Sequence, residues 1–98
     1  MAHQLAPPII EAIGLLLQRL AELDIHPTDS RYSTEAFGDF YVEFASPQGW
    51  LRIVRDRGQY YANGASEERI KRADLWRAHD SRQEFEAKLL AWLGGRAA

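Results

Sequence analysis

Three histidines, His3, His26 and His79, would be the natural ligands or proton carriers of a reactive site. They lie far apart, and none has a ligating partner at the i+4 spacing of a helix or the i+2 spacing of a strand, so no metal is expected. His79-Asp80 reads as polar loop chemistry beside a helix N-cap. The run HPTDS brings His26, Asp29 and Ser30 together in sequence, but a triad needs mutual geometry, and the chain has neither a cysteine nor a GxSxG turn. NGAS and the terminal LGG lack the further glycines and the lysine of a phosphate cradle. Glu67-Glu68, and Glu35, Asp39 and Glu43 at four-residue steps, have no evident apolar pocket to raise a pKa and read as solvated carboxylates. With no constellation for a reaction, the chain is expected not to be an enzyme and to need no cofactor.

Arginines and rings are the remaining chemistry. Between residues 52 and 77, Arg52, Arg55, Arg57, Arg69, Lys71, Arg72 and Arg77 interleave with Tyr60, Tyr61 and Trp76, the mixture that nucleic-acid contacts use. Asp56, Glu67, Glu68 and Asp74 sit among them, and the chain as a whole carries a formal charge of −2 from 12 basic and 14 acidic side chains. The field at a phosphate would be small, so nucleic-acid binding is not expected.

Positioning these residues requires a sheet. In DFYVEFASPQGWLRIV, the tetrad Ser46-Pro47-Gln48-Gly49 has proline and glycine where a type I turn favours them. That turn pairs Phe44 with Leu51, Val42 with Ile53 and Phe40 with Arg55 on one face, and Ala45 with Trp50, Glu43 with Arg52 and Tyr41 with Val54 on the other. Gly58 in RDRG predicts a second hairpin closed with a bulge. A bulge shifts the register by one, so either Tyr60 or Tyr61 turns outward; Tyr61 is the one assigned to the contact surface. RYSTEAF offers a preceding strand, with HPTDS as the loop before it.

Helices flank the sheet. PPIIEAIGLLLQRLAELDIHP spaces Ile9, Ile13, Leu16, Leu17, Leu20 and Leu23 by threes and fours, an amphipathic helix ended by Pro27. SRQEFEAKLLAWLGG begins with a capping box, Ser81 and Glu84, and carries a stripe of Phe85, Leu89, Trp92 and Leu93. SEERIKRADLWRAHD fits either a short helix or an irregular crossing. The expected fold is α+β: an N-terminal helix, a three- to four-stranded antiparallel meander and a C-terminal helix in a two-layer sandwich. Its 98 residues, 46% hydrophobic, suit one domain over residues 1–98. The absence of cysteine, of a basic leader and of a long apolar run fits a cytoplasmic protein without a membrane span.

Tyr41, Trp50, Val54 and one tyrosine then lie on the sheet face away from the helices. Rigid rings and arginine are what protein interfaces concentrate. Either this face is open to a partner or DLWRAHD covers it and Trp50 is core.

The runs GWLRIVRDRGQYYANG and DLWRAHDSRQEFEAKLLAWL, on this architecture, resemble small immunity proteins of bacterial polymorphic toxin systems over residues 38–95. Several of those families carry a similar hairpin turn and a terminal helix rich in leucine and tryptophan. The resemblance implies a cytoplasmic, non-enzymatic protein that binds and blocks a cognate toxin domain. Glu35, Asp39 and Glu43 would be acidic contacts, Trp50 and Tyr41 anchors, and Arg52 an orienting base, while Asp56, Arg57 and Gly58 shape the hairpin. The acidic first half, two basic groups against seven acids in residues 1–51, would suit a toxin with a basic cleft. Two other functions fit the same composition: a homodimeric secretion chaperone wrapping an effector segment, and a small enzyme or nucleic-acid module built on the arginines.

Overall fold

The computed structural model describes residues 4–35 and 38–94. Helix α1 (Pro7–Glu22) starts on two prolines, whose missing amides are among those a first turn leaves unbonded in any case. It kinks at Ile13, next to Gly14, and there the Ala12 carbonyl accepts a hydrogen bond from Arg82 Nη1 at 2.8 Å. Pro27 does not end it. Asp24, at φ +60°, turns the chain left-handed, the Ile25 amide bonds the Leu20 carbonyl and the Asp24 amide bonds that of Ala21. This is a Schellman stop with aspartate in the usual glycine position, sealed by burial of Ile25. Leu23, expected in the apolar stripe, is therefore exposed.

Four strands follow, β1 (Pro27–Ser33), β2 (Asp39–Ser46), β3 (Gly49–Asp56) and β4 (Gln59–Gly64), in one antiparallel sheet of order β1-β2-β3-β4. The expected β2–β3 register holds at every named pair. Two expectations need correction. HPTDS is not a loop, because β1 already begins at Pro27, with an irregularity between Pro27 and Asp29. The β3–β4 turn has no bulge: Asp56 pairs with Gln59, leaving a two-residue Arg57-Gly58 connection with φ of +52° and +80°. Both residues left-handed is the type I′ geometry that matches strand twist. The register that follows buries Tyr60 opposite Arg55 and sets Tyr61 opposite Val54.

The segment after β4 contains both a helix and an irregular crossing. Helix α2 (Glu67–Arg72) is capped by Ser66 and stops as α1 does: Asp74 sits at φ +59° and the Leu75 amide bonds the Ile70 carbonyl. Residues 75–79 then run along the outer edge of β4. Ala62 donates to the Leu75 carbonyl, and Tyr60 and His79 exchange amide bonds at 2.9 and 2.8 Å. His79 is not loop surface, as its polar neighbours suggest, but core, 1% exposed. Its Nδ1 donates to the Tyr60 carbonyl and its Nε2 accepts from Lys88. Helix α3 (Arg82–Leu93) follows, with Ser81 accepting from the Glu84 amide; the Glu84 carboxylate turns to Lys88, 3.1 Å away.

The core lies between the helices and one sheet face. Ile9, Ile13, Leu16 and Leu20 of α1 and Phe85, Leu89 and Leu93 of α3 pack in one cluster with Phe40, Val42, Phe44, Leu51, Ile53, Tyr60 and Ala62. The Tyr60 ring stacks on Phe85 with centroids 6.0 Å apart, and His79 lies 5.6 Å from the same ring, so sheet, crossing and α3 meet at one aromatic joint. Arg55 falls on this apolar face at its end and reaches out to the Gly38 carbonyl, 3.0 Å away. The result is the expected α+β two-layer sandwich, with four strands. No helix among the described residues is long and apolar enough to cross a membrane.

Candidate interaction face

Strand alternation fixes what the second face of the sheet presents. Four rows of cross-strand neighbours run over it: Arg31, Tyr41, Val54 and Tyr61; Asp29, Glu43, Arg52 and Asn63; Ala45 with Trp50; and, at the hairpin end, Ser33 with Asp39 and Asp56 with Gln59. The crossing at residues 75–79 bonds the edge of β4, and the helices pack on the opposite face, so this one stays open among the described residues. Trp50 is 51% exposed. Tyr41, Val54 and Tyr61, side by side across β2, β3 and β4, are half-buried.

Arg52 organises the centre. Its Nε donates to Glu43 Oε1 at 2.8 Å, Nη2 bonds the same oxygen, and its guanidinium lies 4.2 Å from the centre of the Tyr41 ring. The Glu43 hydrogen bond raises the pKa of Arg52 above its ordinary value, reinforced by the charges of Glu43 and Asp29. A forked pair stacked on a ring is rigid, which lowers the ordering cost of a contact made there.

The other expected contact residues are placed less uniformly. Asp39 is on this face, but its Oδ1 accepts the Arg57 amide at 2.9 Å and so holds the β3–β4 turn. Glu43 is committed to Arg52. Glu35 is exposed in the turn after β1, outside these rows. The acidic steps at 35, 39 and 43 therefore do not form one free patch. Arg31 and Asp56 do belong to the face, and sequence reasoning left them out of the contact set; a position two residues past Val54 was the signal for Asp56, whereas Arg31 follows only from the β1 register.

The cations of residues 52–77 are dispersed. Lys71 pairs with Glu67, Arg72 with Glu68, and Arg77 with Asp74, while Arg69 donates to Gln48 and Arg55 turns to the other face. These cations pair, among the described residues, with separate partners rather than lining one track. Among the described residues, no group of three or more histidines and carboxylates is placed to hold a metal ion. Trp76, 53% exposed, stands off the face beside α2 with the Lys71 ammonium 5.1 Å from its ring. No family model, curated protein or solved structure matches this chain.

Proposed function

We propose that the chain is a non-enzymatic, stoichiometric inhibitor that grips a folded partner with the outer face of its sheet. In this reading the partner is the toxin domain of a bacterial polymorphic toxin system, and the chain is the immunity protein kept in the cytoplasm of the producing cell. The observation that carries the binding role is Trp50, half exposed on the central strand β3, with Tyr41, Val54 and Tyr61 on the same face beyond the Glu43–Arg52 pair. An exposed tryptophan leaves a large apolar ring in water, a cost that a covering partner removes, and tryptophan, tyrosine and arginine are the residues in which binding energy concentrates. Mutual neutralisation of Arg52 and Glu43 fits the same role, since a pre-paired charge couple can be covered without stranding a lone ion. The sequence resemblance supplies the identity of the partner.

Co-expression with the toxin domain encoded by the neighbouring gene tests both parts. A 1:1 complex and restored growth are expected, and Trp50→Ala and Tyr61→Ala should each weaken binding by about tenfold or more. Failure of every neighbouring candidate to bind, or binding indifferent to both substitutions, would overturn the proposal. A homodimer that captures only an unfolded effector segment would point to a secretion chaperone instead.

A further inference from the structure

Beside Tyr41, on the side away from Arg52, the outer face opens into a cleft of about 190 Å³. Tyr41 and Tyr61 flank it with Val54 between them, Asp39 and Asp56 close one end, and Arg31 borders it on the outermost strand. Asp39 and Asp56 both line the cleft, each one residue beyond Phe40–Arg55, the last pair of the β2–β3 ladder. Asp39 has the Arg57 amide for one oxygen, and neither carboxylate has a cationic partner among the described residues. Arg55 also borders the cleft, but its ladder position opposite Phe40 sends its side chain to the other face, where it bonds Gly38.

A cleft this small is below the roughly 300–1,000 Å³ of cofactor and ligand pockets, and suits one long side chain. Ring walls favour an aliphatic stem or a flat cation, and the carboxylates favour positive charge at the end. The face already holds one such group, since the Arg52 guanidinium lies over the opposite side of Tyr41. We infer that this cleft receives an arginine or lysine side chain of the partner protein, its stem between Tyr41 and Tyr61 and its charged head at Asp39 and Asp56. The inference rests on the outer face being the binding surface and adds what the partner must present there: a protruding basic residue facing the hairpin end of the sheet.

Titrating the isotope-labelled protein with N-acetyl-arginine amide, and following amide shifts by NMR, tests the cleft without any partner. Saturable shifts confined to Tyr41, Val54, Asp56 and Tyr61 are expected, absent with the uncharged citrulline analogue and lost in the Asp39→Asn/Asp56→Asn double variant. Asp56→Asn alone leaves the Asp39–Arg57 turn bond in place and gives the same readout should the double variant loosen the hairpin. No localised shift, equal shifts with citrulline, or a stronger response to N-acetyl-glutamate amide at Arg31 would overturn the inference. With the toxin domain itself, Asp56→Asn should weaken binding by about tenfold. Loss of binding in Trp50→Ala but not in Asp56→Asn would refute the cleft and leave the face intact; loss in neither would refute the face.

Discussion

Asp74 shows how much one carboxylate can organise. It ends α2 in the left-handed conformation, accepts a forked pair of bonds from Arg77 at 2.7 and 2.9 Å, and binds Lys88 of α3. Arg77, then Lys88, hold its pKa well below the ordinary 3.8. A depressed carboxylate contributes stability that is fully present above the unfolded value and is lost as pH falls through the folded one. Acid should therefore loosen the crossing over β4 below about pH 4, the ordinary carboxylate range. Asp74→Asn keeps a residue that tolerates the left-handed backbone while deleting the charge. It should lower the urea midpoint at pH 7 and flatten the pH dependence of stability below 4, measured by denaturation at stepped pH. Glu86 acts with the opposite sign: burial raises its pKa, so protonation favours the fold there, and Glu86→Gln should raise the midpoint at pH 7.

At the scale of elements, the two short helix stops are the same device, LAELDI and IKRADL, with aspartate followed by a buried aliphatic residue. They differ in what the aspartate does. The Asp24 carboxylate is exposed and, among the described residues, pairs with His26 alone, 3.1 Å away. Asp24→Gly should therefore stabilise by about 0.5–1 kcal/mol, through relief of the left-handed conformation, whereas Asp74→Gly should destabilise. Thermal melts of the two variants check the contrast. These motifs also mark where sequence reading fell short. The β2–β3 pair was legible because alternation and a proline-glycine turn agree on one register. The end of α1 was not, since aspartate took the place that glycine usually signals, and Pro27 was a more visible stop. The start of β1 was hidden for another reason: PTDSRYS lies at the edge of the sheet with mostly polar side chains, so no apolar alternation records where it begins, and only its end, in RYSTEAF, was legible. Arg57 concealed the tight type I′ turn, where asparagine would have announced it. Of the candidate face, the residues on β2 and β3 followed from that one legible register; the outward turn of Tyr61 depended on the turn that was misread.

For the molecule as a whole, the two faces of one sheet separate stability from surface. Phe85 joins α3, Tyr60 and His79, and is fully buried; Phe85→Ala should cost about 3–5 kcal/mol. Trp50→Ala on the other face should change stability by no more than about 0.5 kcal/mol, as exposed positions do. Chemical denaturation of the pair measures the separation, and a Trp50 variant that unfolds early would place that ring in the fold's own packing. The stretch from Leu75 to His79 has one more effect. By occupying the hydrogen-bonding margin of β4 with its own chain, it denies that margin to any foreign or sister polypeptide seeking to extend the sheet. Sociability is thereby steered: along β4 the molecule refuses company strand by strand, and can meet others there only through side chains.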